Sequence, residues 1–344
     1  MRINVVVSVL ALLVLPLLLG VRAPSQPGSA PTPQPPSSLQ QALDRALDDE
    51  RHAIAFYDAV MRTHGERRPF SNIIRAERRH EAALLGQYER LGLSPPPDRW
   101  ASHTFEIPKS FAEVCDAAAV AEVRNLRLYE ALEEKIEDEQ VLAVFVNLRR
   151  ASAERHLPAF QRHGSGWGTL DASALSASQQ KQRDDAVLAR GELFSTLLAE
   201  LSEAIHAGGA ANAIDVCAVR APAIARDVSE RHGVRIGRTS WKLRNPSNRP
   251  PVWADLATDD RPEEPTFFAD RSGRLGALLP IRLAGNCLAC HGAPSDLAPG
   301  VAGALARRYP ADQATGFKAG DLRGWFWVEV PAGAGAPTQK QIRD

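Results

Sequence analysis

The stretch Glu50-Arg51-His52-Ala53-Ile54-Ala55-Phe56-Tyr57 has a counterpart in Glu122-Val123-Arg124-Asn125-Leu126-Arg127-Leu128-Tyr129. Both place a glutamate and a tyrosine at the same spacing. Apolar residues recur at helical intervals around them, as from Leu47 to Met61. The pattern predicts helices at residues 39–63, 69–91, 111–136 and 139–160. Mostly short connections favour antiparallel neighbours in an up-down four-helix bundle over residues 39–163.

Histidines complement the glutamates in the other two helices. Glu77-x-x-His80 brings a carboxylate and an imidazole onto one face of the second helix. His156 lies near the end of the fourth helix. One Glu from each of two helices, with Glu-x-x-His from the others, is the di-iron carboxylate arrangement of ferritin-like bundles.

The segment Arg68-Pro69-Phe70-Ser71-Asn72-Ile73-Ile74 precedes the Glu-x-x-His helix. With these motifs, nearly the whole first domain resembles the ferritin-like superfamily, particularly an uncharacterised bacterial branch. The resemblance implies an all-α ferritin-like bundle. It also implies a non-haem iron site with ligands Glu50, Glu77, His80, Glu122 and His156.

The fourth helix departs from the full pattern. Ala153 stands three residues before His156, where the pattern has a glutamate, and Glu154 points to another side of the helix. Five ligands therefore replace six, which favours one iron or an asymmetric pair. The alternative is a metal-free bundle whose inward polar groups satisfy one another, although buried carboxylates without a cation are costly.

A second metal signal is Cys287-Leu288-Ala289-Cys290-His291. The spacing Cys-x-x-Cys-His indicates covalent attachment of a c-type haem, with His291 as proximal iron ligand. A zinc knuckle would require a second Cys/His pair at similar spacing, and a redox dithiol would require a β-α-β context. Neither is evident in the sequence.

Residues 181–331 are predicted to form an α+β haem domain with two N-terminal helices and an antiparallel sheet, and a PAS-like sheet is the specific expectation. Asp270-Arg271-Ser272-Gly273 predicts a hairpin turn. The predicted helices are 183–207 and 210–232, and the predicted strands are 233–242, 278–283 and 324–330.

Few residues of this domain could be the second axial ligand of the haem. Methionine occurs only at Met1 and Met61, so the usual His/Met pair is excluded within this domain. His206, His232, Cys217, water or an open position remain as candidates.

The element Arg238-Thr239-Ser240-x-Lys242-x-Arg244-Asn245-Pro246-x-Asn248, with Cys217 and Pro222, resembles a PAS-like single-haem cytochrome c family of unknown function. The resemblance implies that Cys217 is the distal ligand opposite His291. A Cys115–Cys217 disulfide is the alternative. Haem propionates are expected to be neutralised by Arg238, Lys242 and Arg244.

The start of the chain indicates export, and the segments between and after the domains are predicted to be linkers and a tail. A basic start, an apolar run from Val5 to Leu19 and a small residue at Ala23 predict a signal peptide at residues 1–23 and a periplasmic location. An uncleaved anchor is the alternative and would be the only membrane contact. A proline-rich linker is predicted at 24–38, an interdomain linker at 164–180 and a flexible tail at 332–344.

The charge composition argues against nucleic-acid binding, since 41 basic and 41 acidic residues cancel. The sequence therefore predicts an exported c-type haem protein for electron transfer or redox sensing that meets a redox partner protein. Its ferritin-like module would exchange electrons through bound iron. The alternatives are a non-catalytic haem-based sensor with a metal-free bundle, and a di-iron peroxidase or oxidase fed by the haem. The sequence does not decide the oligomeric state.

Overall fold

The computed structural model describes residues 37–333. The predicted signal peptide, nearly all of the proline-rich linker and most of the predicted tail lie outside the described residues. Residues 38–333 belong to one compact unit. Within residues 37–333, no helix combines the length and apolar content that crossing a membrane requires.

The first half of the described chain is helical, close to the predicted boundaries. Ser110 caps α3 through the backbone N–H of Glu113, and Asp138 caps α4 in the same manner. The predicted fourth helix is interrupted by one π-helical turn, Ser152–His156. The helices are α1 (Ser38–His64), α2 (Phe70–Leu91), α3 (Phe111–Glu133), α4 (Glu139–Ala151) and α5 (Leu157–His163).

Two apolar clusters fill the space between these helices, and they show which way each helix runs. Cluster A contains Leu43, Leu47, Leu84, Tyr88, Tyr129, Leu132, Phe145 and Leu148. Cluster B contains Tyr57, Val60, Phe70, Ile73, Ile74, Val114, Ala118 and Phe160. Helix α1 and the α4–α5 pair run from cluster A to cluster B, whereas α2 and α3 both run from B to A.

The predicted up-down topology is therefore wrong at one connection. Helices α2 and α3 run in the same direction, so residues 92–110 return the chain along the length of the bundle. This crossover is held on α1, because Arg51 donates to the carbonyl of Pro96 at 2.8 Å and Trp100 Nε1 donates to Asp48 at 3.0 Å. The prolines at residues 95–97 are evident in the sequence, but the span of this connection across the bundle is not.

Helix α6 (Ala177–His232) leads from the bundle to the sheet. Ser176 and Gln179 form a capping box at its start. Its backbone leaves helical geometry at Gly208 and Gly209. The two predicted helices are therefore present and meet at this glycine kink.

Five antiparallel strands form one sheet in the order β1-β3-β4-β5-β2. The turn predicted at Asp270–Gly273 joins β3 to β4. The predicted linker 164–180 is corrected in part, because β1 lies within it and pairs with β3. The strands are β1 (Gly168–Thr169), β2 (Arg235–Thr239), β3 (Thr266–Ala269), β4 (Leu275–Arg282) and β5 (Leu322–Val330).

The two faces of the sheet have different covers. Helix α6 packs on one face, where Leu193, Val228, Leu279 and Phe326 share a buried core. The other face is rich in tryptophan and is covered by α7 (Val252–Asp259). Two short helices complete this half, α8 (Leu288–His291) and α9 (Val301–Arg308). The described architecture is thus helical with one small antiparallel sheet.

Polar contacts join the bundle to the sheet. Arg124 on α3 pairs with Asp255 on α7 at 2.9 Å. From the β3–β4 turn, the Arg271 guanidinium donates to the carbonyls of Gln161 at 2.8 Å and Gly164 at 3.0 Å. An exposed ion pair alone contributes little to stability. The pairing of β1 with β3 and the hydrogen bonds of Arg271 therefore matter more for fixing the bundle against the sheet.

Gly324 provides a test of how β2 and β5 meet. It has φ of 153°, and a Cβ there would lie 2.2 Å from the Thr239 carbonyl oxygen. We expect Gly324→Ala to lower the free energy of unfolding by about 2 kcal/mol, since both the backbone and its neighbour must shift. Urea unfolding measures the loss. Gly168→Ala, which meets no atom within 4 Å, is the control and should change little.

Candidate functional sites

Three glutamates and two histidines from four helical segments converge inside the bundle. Glu77 lies between the two imidazoles: its Oε2 is 2.7 Å from His80 Nδ1, and its Oε1 is 3.1 Å from His156 Nδ1. Glu50 Oε2 approaches His80 Nδ1 at 3.3 Å, and Glu122 Oε2 approaches His156 Nδ1 at 3.6 Å. The structure thus brings together all five residues that the sequence predicted as ligands here.

The repeated Glu and Tyr of the two opening stretches form reciprocal bonds. Tyr57 donates to Glu122 at 2.8 Å, and Tyr129 donates to Glu50 at 2.7 Å. Both phenols are buried, and burial followed by the glutamate charges raises their pKa values well above the ordinary one. Each tyrosine therefore stays a donor and fixes one oxygen of a glutamate on the facing helix.

The π-helical turn changes which residue of the fourth helix faces the cluster. Ser152 and His156 are buried, Ala153 is half-buried and Glu154 is exposed. Ser152, four residues before His156, occupies the inward position that the sequence assigned to Ala153. A π-turn inserts a residue into the helical register, and such turns occur often at functional sites. The sequence carries no plain signal for it.

Ser152 begins a polar chain that sequence reasoning missed. Its hydroxyl donates to Asn125 Oδ1 at 2.9 Å, and Asn125 Nδ2 donates to Asp49 Oδ2 at 2.6 Å. Burial raises the pKa of Asp49 to about 6. Thus the side of the bundle without a fourth glutamate holds an amide and a hydroxyl linked to a carboxylate.

Burial and mutual charge set the protonation of the cluster. Burial raises the pKa of Glu50 to about 8 and also raises that of Glu122. Burial would raise the pKa of Glu77 too, but its close contacts with His156 and His80 lower it to about 2. For the histidines, burial opposes charge, yet the glutamates raise the pKa of His80 to about 9 and that of His156 to about 10.

The donor set fits a metal ion by its chemistry and its spacing. One ligand atom from each of Glu77, His80 and His156 lies within 4.8 Å of the others. The buried His156 Nδ1 makes no hydrogen bond of acceptable geometry, although two carboxylates lie near it. A cavity of about 20 Å³, room for about one water molecule, adjoins Glu77 and Glu122. Carboxylate and imidazole together suit iron and similar divalent ions.

The second site lies where the chain returns to the sheet. A 3₁₀ turn, Gly285–Cys287, and α8 carry the Cys-x-x-Cys-His segment. His291 Nδ1 lies 2.7 Å from the Ala314 carbonyl, which can only accept, so Nδ1 bears the proton and Nε2 keeps its lone pair. Burial, then Arg244 and Arg323, lowers the pKa of His291 to about 3. A neutral imidazole with Nε2 free is what iron ligation requires.

Arg244 holds this segment in place. Its Nη2 donates to the carbonyl of Cys290 at 2.6 Å and to that of Ala314 at 3.2 Å, and its Nε donates to Asp312 at 3.2 Å. Its Nε and Nη2 are therefore engaged by protein acceptors, and the expected role of Arg244 at a haem propionate stays a prediction. Ala314 and Asp312 were not found from the sequence, since no motif marks a carbonyl or its partner.

Cys217 lies on α6, half-buried and free. Burial raises the pKa of its thiol, whereas the charge of Arg238 opposes the shift and Cys290 adds to it. The thiol is therefore within electrostatic range of the Cys-x-x-Cys-His segment. The alternative disulfide is contradicted, because Cys115 is also free and is buried against the residues of cluster B inside the bundle.

The remaining candidate axial ligands are engaged elsewhere. His206 Nδ1 contacts the carbonyl of Ser202 on its own helix at 2.7 Å and is exposed. His232 Nε2 contacts Glu192 at 2.6 Å. Both histidines therefore have local partners on α6.

Fold and sites define the class: a helical bundle with a buried carboxylate and imidazole cluster, joined to a small antiparallel sheet that bears a Cys-x-x-Cys-His segment. The chain belongs to the Tll0287-like family, whose profile matches residues 119–331. The match begins inside α3 and so includes part of the bundle.

Two solved structures resemble parts of the chain. One is the cyanobacterial haem protein Tll0287, at 25% identity and a TM-score of 0.35, covering 45% of this chain and 98% of that one. The other is the hypothetical protein MJ0754 from Methanococcus jannaschii, at 21% identity and a TM-score of 0.34, covering 39% and 84%. No curated protein matches the chain.

The protonation of the bundle cluster predicts pH-dependent metal binding. At pH 7 the raised pKa values keep Glu50, His80 and His156 protonated in the metal-free protein. A bound ion must displace those protons, so affinity rises with pH, by about tenfold per pH unit for each proton released. Calorimetry with Fe²⁺ in two buffers of different protonation enthalpy counts the protons. Binding that is independent of pH between 6 and 8 would contradict this.

The role of Arg244 is tested in the haem-free chain. Arg244→Ala leaves Asp312 unpaired and two carbonyls without their donor, so we expect a loss of about 3 kcal/mol in unfolding free energy. Urea unfolding measures it. Arg308→Ala is the matched control, because Arg308 is exposed and only reaches Asp215 at 4.0 Å. Equal losses in the two variants would show that Arg244 is not a clamp.

Proposed function

We propose that this chain is an exported c-type haem protein for electron transfer or redox sensing, whose ferritin-like bundle binds non-haem iron and exchanges electrons with the haem. Membership in the Tll0287-like family, which shares its name with the cyanobacterial haem protein Tll0287, is consistent with a haem-based role. The observation that carries the haem assignment is the hydrogen bond of His291 to Ala314, which leaves Nε2 available directly after two cysteines.

The chain's own residues would hold the haem as follows. Cys287 and Cys290 would form thioethers, His291 would bind the iron from one side and Cys217 from the other. An anionic thiolate ligand favours ferric iron and so lowers the reduction potential. Arg238, half-buried and without a salt bridge among residues 37–333, and Lys242 remain available for the propionates. If His291 and Cys217 both bind the iron, the haem would carry electrons rather than bind a substrate.

Two findings support the ferritin-like assignment of the bundle. The same direction of α2 and α3 requires one long crossover, which is the connection found in ferritin-like folds. The five ligand side chains also come from four helical segments around the shared Glu77. A bound iron would supply redox chemistry there, while Tyr57 and Tyr129 orient the outer glutamates.

The competing proposal is a haem-based sensor with a metal-free bundle. One observation favours it: Glu77 between two protonated histidines is a self-compensated arrangement that needs no cation. On either proposal, a periplasmic location follows from the predicted signal peptide, and a separate redox partner protein is needed.

Metal analysis decides between the two proposals for the bundle. We expect the purified wild type to hold iron beyond its haem content, and Glu77→Ala to lose it by at least about tenfold, because both imidazoles lose their shared partner. Glu154→Ala, an exposed glutamate of the π-helical turn, should retain it. If wild type and both variants contain only haem iron, the metal-free sensor is the better account.

The haem ligands are tested by spectroscopy. Cys217→Ala should change the ferric visible spectrum and raise the midpoint potential, because a thiolate donor is lost. Cys115→Ala, which removes a thiol buried in the bundle, should leave both unchanged. An unaltered ferric spectrum in Cys217→Ala would exclude it as the distal ligand, and loss of colour under denaturing extraction would exclude covalent attachment.

A further inference from the structure

The Arg323 guanidinium lies directly against the predicted proximal histidine. Its Nε is 3.3 Å from His291 Nδ1. That nitrogen already has a carbonyl acceptor, Ala314, at 2.7 Å, so it bears the proton and cannot also accept from Arg323. The contact is therefore a cation beside a donor nitrogen. The usual partner of a metal-ligating histidine is a carbonyl, a carboxylate or water.

The surrounding structure fixes Arg323 in this position. Its Nη1 donates to the carbonyl of Lys242 at 3.2 Å, and its guanidinium lies 5.5 Å from the centre of the Phe317 ring. The Ser240 hydroxyl donates to the backbone carbonyl of Arg323 at 2.7 Å. The next residue, Gly324, allows the close approach of β2 on which these contacts depend.

No carboxylate lies within salt-bridge distance of the Arg323 guanidinium in the described part of the chain, although the charge of Asp312 acts on it from further away. The neighbouring Arg244, by contrast, is paired with Asp312 at 3.2 Å. Burial, followed by the repulsion of Arg244, lowers the pKa of Arg323 to about 10. The side chain thus remains a cation at neutral pH, and its half-buried position reduces screening by solvent.

We propose that Arg323 is a positioning residue that raises the reduction potential of the iron bound to His291. A fixed positive charge disfavours the more positive ferric state, and it also opposes charge donation from the imidazole. Its effect is opposite to that of the Cys217 thiolate on the other side of the haem. The inference rests on the proposed haem ligation and adds to it the residue that sets the potential.

Redox titration of the intact haem-loaded chain tests the proposal. We expect Arg323→Gln to shift the ferric-to-ferrous equilibrium at least tenfold toward ferric, about 59 mV for a one-electron couple. Arg323→Lys retains the charge and should keep most of the wild-type potential. Arg282→Gln is the control, because Arg282 pairs with Glu263 and makes no contact with His291.

The outcomes separate this inference from the haem assignment. Each variant is first compared with the wild type in haem content and ferric spectrum. If wild type binds no haem, the proposed function itself fails. If haem content and spectrum match but Arg323→Gln and Arg282→Gln have the same potential, the role of Arg323 is overturned. A potential that falls equally in Arg323→Lys and Arg323→Gln would also overturn it, since charge would not be the cause.

Discussion

The buried Glu77 carboxylate between two imidazoles is the constraint around which the bundle is arranged. An ionised carboxylate inside a protein requires opposite charge close by, and here His80 and His156 supply it at 2.7 and 3.1 Å. Because His156 comes from the far end of the chain's helical half, the fourth helical segment must return alongside α2. Clusters A and B then enclose the polar layer from its two ends. Apolar packing and the polar layer thus specify the same helix directions.

At the Cys-x-x-Cys-His segment, too, the surroundings of a histidine decide its protonation, but here the surrounding charge is positive. Burial and then the positive charges of Arg244 and Arg323 keep His291 neutral, whereas the negative charges around His80 and His156 outweigh burial, so those histidines gain protons. One side-chain type therefore serves two kinds of site within one chain. Its neighbours decide whether it offers a lone pair at once or only after a proton leaves.

The sequence predicted local features well and long-range ones less well. Helical periodicity located the helices, and the repeated Glu and Tyr spacing identified side chains that do converge. The sequence did not reveal the crossover at residues 92–110, because periodicity shows which face of a helix is buried and not which way the helix runs in the bundle. Ser152 was missed because a π-turn alters the register that any i,i+3 argument assumes. Asp312, Ala314 and Arg323 were missed because their roles depend on which loops the sheet brings together.

The family match bears on how the two halves work together. It begins at residue 119, so Glu122 and the part of α3 from residue 119 onward fall within the same family unit as His291. Helix α3 carries Glu122 and Tyr129 on its inner face and Arg124, paired with Asp255 on α7, on its outer face. The sheet-covering helix therefore rests on the helix that holds a bundle glutamate. A boundary drawn between residues 163 and 181 separates sequence patterns, whereas α3 is shared by both parts of the folded chain.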